Sequence, residues 1–168
     1  AGTVETGTLF LVATPIGNLD DISLISKLPE IPDLICFRYN PGERRTGNKI
    51  IGNPMEAKYG VTHDQILDAY KRSMDLGVKR FGIHTMLASN ELDYTYMVET
   101  ADMLLDIIRE IHGRLGIQFD FINIGGGLGI PYTPNTPKFD LAAMAAGVTR
   151  SFEAFNEQNG WVPKLYME

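Results

Sequence analysis

The chain has 168 residues, 44% of them hydrophobic and 21% charged, which is apolar enough for one packed domain and too patterned for disorder. Its net charge of −6, from 21 acids against 15 bases, argues against a nucleic-acid or membrane surface, and the cluster Arg44, Arg45 and Lys49 reads as a solvated loop. A single cysteine excludes an internal disulfide framework and points to a reducing, cytoplasmic setting; no apolar run reaches the roughly 18 residues of a membrane span, and Ala1 to Glu5 lack the positive region of a secretory signal.

In chain order, the strand candidates are Thr8 to Ala13, Leu34 to Tyr39, Arg80 to His84, Phe119 to Ile124 and Lys164 to Met167, separated by helical segments. That alternation predicts a parallel α/β sheet, about half of an eight-stranded barrel or a small open sheet. Cys36 lies in the apolar run Leu34-Ile35-Cys36-Phe37 and reads as a small buried hydrophobe. A Gly-, Pro- and Asn-rich stretch from about Asn40 to Val61 follows the second candidate, and loops of that length in a compact domain tend to be functional or flexible. Thr62-His63-Asp64-Gln65 fits a capping box for a helix ending near Gly77. The next helix carries Met97, Ala101, Leu104, Ile108 and Ile111 on one stripe and is predicted to stop at Gly113. The last has Asp140 as N-cap, the stripe Leu141, Met144, Val148, Phe152 and Phe155, and Gly160 after it.

The strongest chemical signal is Asn123-Ile124-Gly125-Gly126-Gly127-Leu128-Gly129. Glycines directly after a strand let backbone N–H groups approach an anion closely. Isoleucine at position 130 rules out the dinucleotide fingerprint, and no Gly-Lys-Ser/Thr follows for a P-loop. On spacing alone the loop reads equally well as a phosphate cup or a tight strand exit. His84 ends a strand, whereas His63 and His112 sit at helix ends with capping or dipole explanations, and the three have no metal-ligand spacing. In parallel βα architectures ligands collect at the carboxyl ends of the strands. His84, the loop Gly125 to Gly129, the Asn40-to-Val61 loop and Glu168 all fall there.

Four ordered segments then become recognisable: Cys36-Phe37-Arg38-Tyr39-Asn40-Pro41-Gly42, Ala57-Lys58-Tyr59-Gly60-Val61, Gly82-Ile83-His84-Thr85-Met86-Leu87-Ala88-Ser89 and Gly125-Gly126-Gly127-Leu128-Gly129-Ile130-Pro131-Tyr132. Over residues 18–168 the chain resembles the diaminopimelate decarboxylases, a branch of the alanine-racemase-like pyridoxal-phosphate barrels, and Lys164 to Glu168 looks like the lead into that family's Glu-Pro-Gly-Arg motif. The resemblance implies half of a (β/α) barrel and pyridoxal phosphate as cofactor. It implies that His84 stacks on the pyridine ring and that Ser89 binds the phosphate with the N–H groups of Gly125, Gly126 and Gly127. Glu168 would pair with the pyridine nitrogen, Arg38 and Lys58 would lie nearby, and the substrate would be a small amino acid in lysine biosynthesis. The family's Schiff-base lysine belongs to an aromatic-Ala-x-Lys segment that these 168 residues do not contain, so the chain is expected to be inactive alone.

Residues 1–17 read differently. Gly7 to Ile22, with Thr14-Pro15-Ile16-Gly17-Asn18, resembles the opening strand of the ribosomal RNA small-subunit methyltransferases of the tetrapyrrole-methylase type, which use S-adenosylmethionine. A chimera is the resulting expectation: one α/β domain, 1–168, with a methyltransferase-like first strand and a decarboxylase-like half barrel from 18. A folded α/β domain without biochemical function is the alternative reading, and a methyltransferase is the weakest. The half barrel is further expected to have parallel strands in sequence order, joined by right-handed crossovers. It should also have an inner face of apolar side chains and two open edges, at Thr8 to Ala13 and Lys164 to Met167, that favour a homo-oligomer, most simply a dimer.

Overall fold

The computed structural model describes residues 19–42 and 60–168, so the first strand candidate, Lys58 and most of the Asn40-to-Val61 loop lie outside the described residues. The elements are α1 (Asp20–Ile25), β1 (Leu34–Asn40), β2 (Val61–Thr62), α2 (His63–Asp75), β3 (Arg80–His84), α3 (Tyr94–Leu115), β4 (Phe121–Asn123), α4 (Leu141–Asn159) and β5 (Lys164–Tyr166). All pairings are parallel, in the order β2-β1-β3-β4-β5. The expected sequence order therefore holds for β1, β3, β4 and β5. It fails at β2, which sequence reading placed in a loop; this two-residue strand pairs with Tyr39 and Asn40 on the far side of β1.

Local chemistry sets the helix ends. The Gln65 carboxamide oxygen accepts from the Thr62 N–H at 3.5 Å and from its hydroxyl at 3.1 Å, so the capping pair opens α2. Asp93 caps α3 by accepting from the Thr95 N–H, and Asp140 caps α4 by accepting from the Ala143 N–H, both at 2.9 Å. Helix α3 does not stop at Gly113. It runs on to Leu115 and ends at Gly116, which takes the left-handed conformation at φ 72° that terminates helices. On α4, Met144, Val148 and Phe155 are buried, but Leu141, in the first turn, is 58% exposed.

Pleating sends alternate residues to opposite faces. One face carries Ile35, Phe37, Phe81, Ile83 and Ile122, which pack with Ile66, Tyr70, Leu104, Ile108 and Met144 of the helices in one apolar core. Tyr70, fully buried, makes edge contacts with Phe37, Phe81 and Phe119 and donates its hydroxyl to the Gly82 carbonyl at 2.8 Å. Burial pushes the Tyr70 phenol well up, and the Cys36 thiol up to about 12, as fits a packed cysteine rather than a nucleophile.

The opposite face corrects the expectation of an apolar lining. The register aligns Cys36, Gly82, Phe121 and Lys164 in one row, and Arg38, His84, Asn123 and Tyr166 in the next. Small, polar and charged residues dominate, with Phe121 and Tyr166, whose ring centroids lie 4.8 Å apart at a 35° tilt, as the aromatic part. Gly82 makes this possible: a Cβ there would lie 2.2 Å from the Phe121 ring. The apolar side chains are on the other face because the helices there need partners.

Candidate functional site

The row Arg38, His84, Asn123 and Tyr166 stands at the carboxyl ends of the strands, where the segments that follow β3, β4 and β5 meet one another. After β4 the glycine loop turns sharply. Gly125 and Gly127 take φ values of 73° and 91°, in the region that favours glycine. Each glycine is also crowded: an added Cβ would lie 2.6 Å from the Thr85 carbonyl oxygen at Gly125, 2.7 Å from that of Glu168 at Gly126, and 2.2 Å from that of Ala88 at Gly127. Backbone thus meets backbone without side chains between, which leaves the loop's peptide groups as its working surface.

A second loop, after β3, is zipped to the first. Glu91 N–H donates to Gly127 O at 2.9 Å, Gly129 N–H to Glu91 O at 2.7 Å, and Ile130 N–H to Asn90 Oδ1 at 2.9 Å. Asn90 takes φ 49°, a conformation that asparagine tolerates better than most residues. This zipper brings Ser89 beside Gly127: the Ser89 Cα lies 3.0 Å from the position of a Gly127 Cβ. Residues 85–91 and 125–130 therefore form one double-layered rim, with Ser89 half-buried in it.

His84 and Glu168 meet beneath this rim. His84 Nε2 lies 3.3 Å from Glu168 Oε1, yet off the line of a hydrogen bond, so this buried nitrogen has no hydrogen-bond partner. Burial lowers the His84 pKa below its ordinary 6.5; nearby Arg38 lowers it further, and Glu168 opposes both. A neutral imidazole, 8% exposed and unsatisfied, is a group left available to something else. Glu168 is held by its N–H donating to Gly125 O at 3.1 Å, while its carboxylate stays 56% exposed.

The structure thus brings together His84, Ser89, Gly125, Gly126, Gly127 and Glu168. Arg38 joins them, its Nη2 donating to Met86 O at 3.3 Å. The glycine amides are not equally available. Gly125 N–H donates to Asn123 Oδ1 at 2.8 Å, and Gly126 N–H points at Met86 Sδ at 3.3 Å, a weak acceptor that an anion can displace. Sequence reasoning quoted Asn123 and Met86 within motifs but gave no role to them or to Asn90. Period-two alternation could have found the first, since Asn123 stands opposite His84 once the apolar positions are aligned.

The residues fit pyridoxal phosphate. An unsatisfied imidazole suits the ring, side-chain-free peptide groups beside a serine suit the phosphate, and an exposed carboxylate suits a protonated ring nitrogen. Among the described residues, no three His, Cys, Asp or Glu side chains are grouped to hold a metal ion, and no helix is long and apolar enough to cross a membrane.

Comparison with known proteins agrees. The chain is 32% identical over 158 residues to Protein TabA of Pseudomonas amygdali pv. tabaci, covering 94% of this chain and 37% of that protein. It is 37% identical over 141 residues to the diaminopimelate decarboxylase of Methanothermobacter thermautotrophicus, covering 81% of this chain and 33% of the relative. The crystal structure of diaminopimelate decarboxylase from M. jannaschii in co-complex with L-lysine shares the fold, at a TM-score of 0.75 and 23% identity over 89% of this chain and 36% of that one. The chain therefore spans about a third of the length of these proteins. Residues 11–168 match the family model of the pyridoxal-dependent decarboxylases, pyridoxal binding domain. That match begins inside the methyltransferase-like segment, and none of these similarities supports a separate origin for residues 1–17. The chain belongs to the pyridoxal binding domain family of the pyridoxal-dependent decarboxylases, whose cofactor is pyridoxal phosphate.

Proposed function

We propose that this chain supplies part of the pyridoxal-phosphate cradle of a diaminopimelate decarboxylase acting in lysine biosynthesis. The observation that carries the reading is the buried, unpartnered Nε2 of His84 between the glycine rim and the Glu168 carboxylate. When bound, the cofactor acts as an electron sink for the charge left as a carboxylate departs as carbon dioxide. The chain's own residues bind and orient it. His84, kept neutral by burial, is the ring contact; Ser89 with the Gly126 and Gly127 amides is the phosphate contact. Gly125, whose amide is engaged by Asn123, contributes the turn. Glu168 is suited to hold a proton on the ring nitrogen, since neither of its contacts with Asn123 and His84 involves Oε2. Arg38 adds positive charge beside His84 and reinforces, as the smaller contribution, the neutrality that burial imposes.

The work is that of one domain in the cytoplasm, on a small amino-acid substrate, within a homo-oligomer. Support for association is the sheet itself, in which β2 and β5 are the outer strands of the described residues and present backbone groups for pairing. Because these 168 residues hold no aromatic-Ala-x-Lys segment, the expected binding is non-covalent and the expected decarboxylation of meso-diaminopimelate by this chain is nil.

The test is an absorbance titration with pyridoxal phosphate, with and without borohydride. We expect saturable binding that borohydride does not fix at a unique lysine, and roughly tenfold weaker binding in His84→Ala, a loss of about 1.4 kcal/mol. An unchanged cofactor spectrum at millimolar protein and ligand would favour the alternative, a folded domain with no biochemical function.

A further inference from the structure

We infer that Asn123 is a positioning residue that couples the turn of the glycine loop to the carboxylate of Glu168; this deepens the cofactor reading and rests on it. Asn123 is the last residue of β4, in the row between His84 on β3 and Tyr166 on β5. Its carboxamide works in two directions at once. Oδ1 accepts from the Gly125 N–H at 2.8 Å, and Nδ2 donates to Glu168 Oε1 at 3.3 Å.

A carboxamide meets both demands, with acceptor and donor on separate atoms. A peptide N–H requires an acceptor and a carboxylate requires a donor, so the two neighbours fix which end of the carboxamide faces which partner. Aspartate could serve Gly125 but would set a second negative charge against Glu168. Alanine would serve neither. The first bond fixes Gly125 in its left-handed turn, which aims the following peptide groups; the second holds the same Oε1 that His84 Nε2 approaches at 3.3 Å. The parts suited to the phosphate and to the ring nitrogen thus hang on one side chain.

The test compares Asn123→Ala and Asn123→Asp with the wild type, first without ligand. Gly125 amide exchange, followed by NMR, should quicken about tenfold in Asn123→Ala, the size of one net hydrogen bond, and stay within threefold in Asn123→Asp. In Glu168→Ala the Asn123 carboxamide resonances should move. Unchanged exchange in Asn123→Ala, or unmoved carboxamide signals in Glu168→Ala, overturns the coupling. Ligand titrations then separate positioning from mere folding. Asn123→Asp should hold inorganic phosphate within twofold of wild type but lose about tenfold in pyridoxal phosphate affinity, whereas Asn123→Ala should lose both. Equal losses for the two ligands in Asn123→Asp would reject the positioning role. If the wild type binds neither ligand, the cofactor reading falls, and the ligand-free NMR still decides the coupling.

Discussion

The two ends of this sheet treat charge in opposite ways. At the amino ends of the strands, Arg80 donates from Nε and Nη2 to Asp120 Oδ2 at 2.8 and 2.7 Å, and its Nη1 lies 3.8 Å from Asp33. The Asp33 carbonyl also accepts from the N–H groups of Lys79 and Arg80, so this cluster is satisfied within the chain and in water. At the carboxyl ends, His84 is buried without a hydrogen-bond partner, Gly126 N–H has only a thioether, and an exposed carboxylate waits beside them. Unsatisfied buried groups cost stability, and Trp161 Nε1, just before β5, is another. But among the described residues an unpartnered imidazole, a weakly bonded amide and an exposed carboxylate stand together at the carboxyl ends, which marks that end for a ligand.

The largest expected break in this asymmetry is Gly127→Ala. The new Cβ would lie 2.2 Å from a carbonyl oxygen, on a backbone at φ 91° that alanine rarely adopts, so the rim must open. Affinity for pyridoxal phosphate should fall at least about tenfold, with a stability loss of about 1–3 kcal/mol in chemical denaturation. Gly82→Ala makes the useful control. Its Cβ would meet the Phe121 ring rather than backbone, and a ring can shift, so stability should fall while binding falls less. Equal binding losses in the two variants would show that the rim has no special part.

Next in size is the pH response of His84. Its folded pKa lies below 6.5, so the unfolded chain takes up the proton first. Stability is then full above pH 6.5 and declines as the pH falls through that value toward the lower folded one. Urea unfolding at pH 7.5 and 5.5 should show a smaller decline in His84→Gln than in wild type. Identical declines would mean that His84 does not carry the effect.

How much of this was legible in sequence follows from the range of the forces involved. Period-two runs and caps are local, and they placed β1, β3 and both ends of α4 closely. Gly113 misled because a glycine inside a long helix costs only about 1 kcal/mol, which buried Ile107, Ile108 and Ile111 outweigh; the stop falls at Gly116. β2 could not be read because two residues carry no periodicity and its partner among the described residues, the end of β1, lies across a long intervening segment of the chain. At the site, His84, Ser89, the glycines and Glu168 were recognisable by motif. The roles of Asn123 and Met86 were not, since each depends on which strand stands beside which.

Helix caps should cost less than the rim and belong to neither end's chemistry. Asp140→Ala removes the acceptor for the Ala143 N–H and should lower stability by about 1 kcal/mol in urea unfolding, with cofactor affinity unchanged. A binding loss there would extend the site to the start of α4.

The smallest effect is expected at the satisfied end. Arg80 is half-exposed, at 52%, and its partners Asp120 and Asp33 are 30% and 60% exposed, so water screens every pair it makes. The attraction raises the Arg80 pKa, chiefly through the hydrogen bond to Asp120, but a guanidinium is charged in either state at neutral pH. Exposed pairs also lose side-chain entropy in holding one geometry, and that offsets most of their gain. Arg80→Ala should therefore lower the melting temperature only slightly. The difference from wild type should shrink further at about 1 M salt, where the screening length is about 3 Å. Pyridoxal phosphate affinity should not move. A destabilisation as large as that of Asp140→Ala, persisting at high salt, would mean that the amino end carries more of the fold than its exposure allows, and the contrast between the two ends would have to be redrawn.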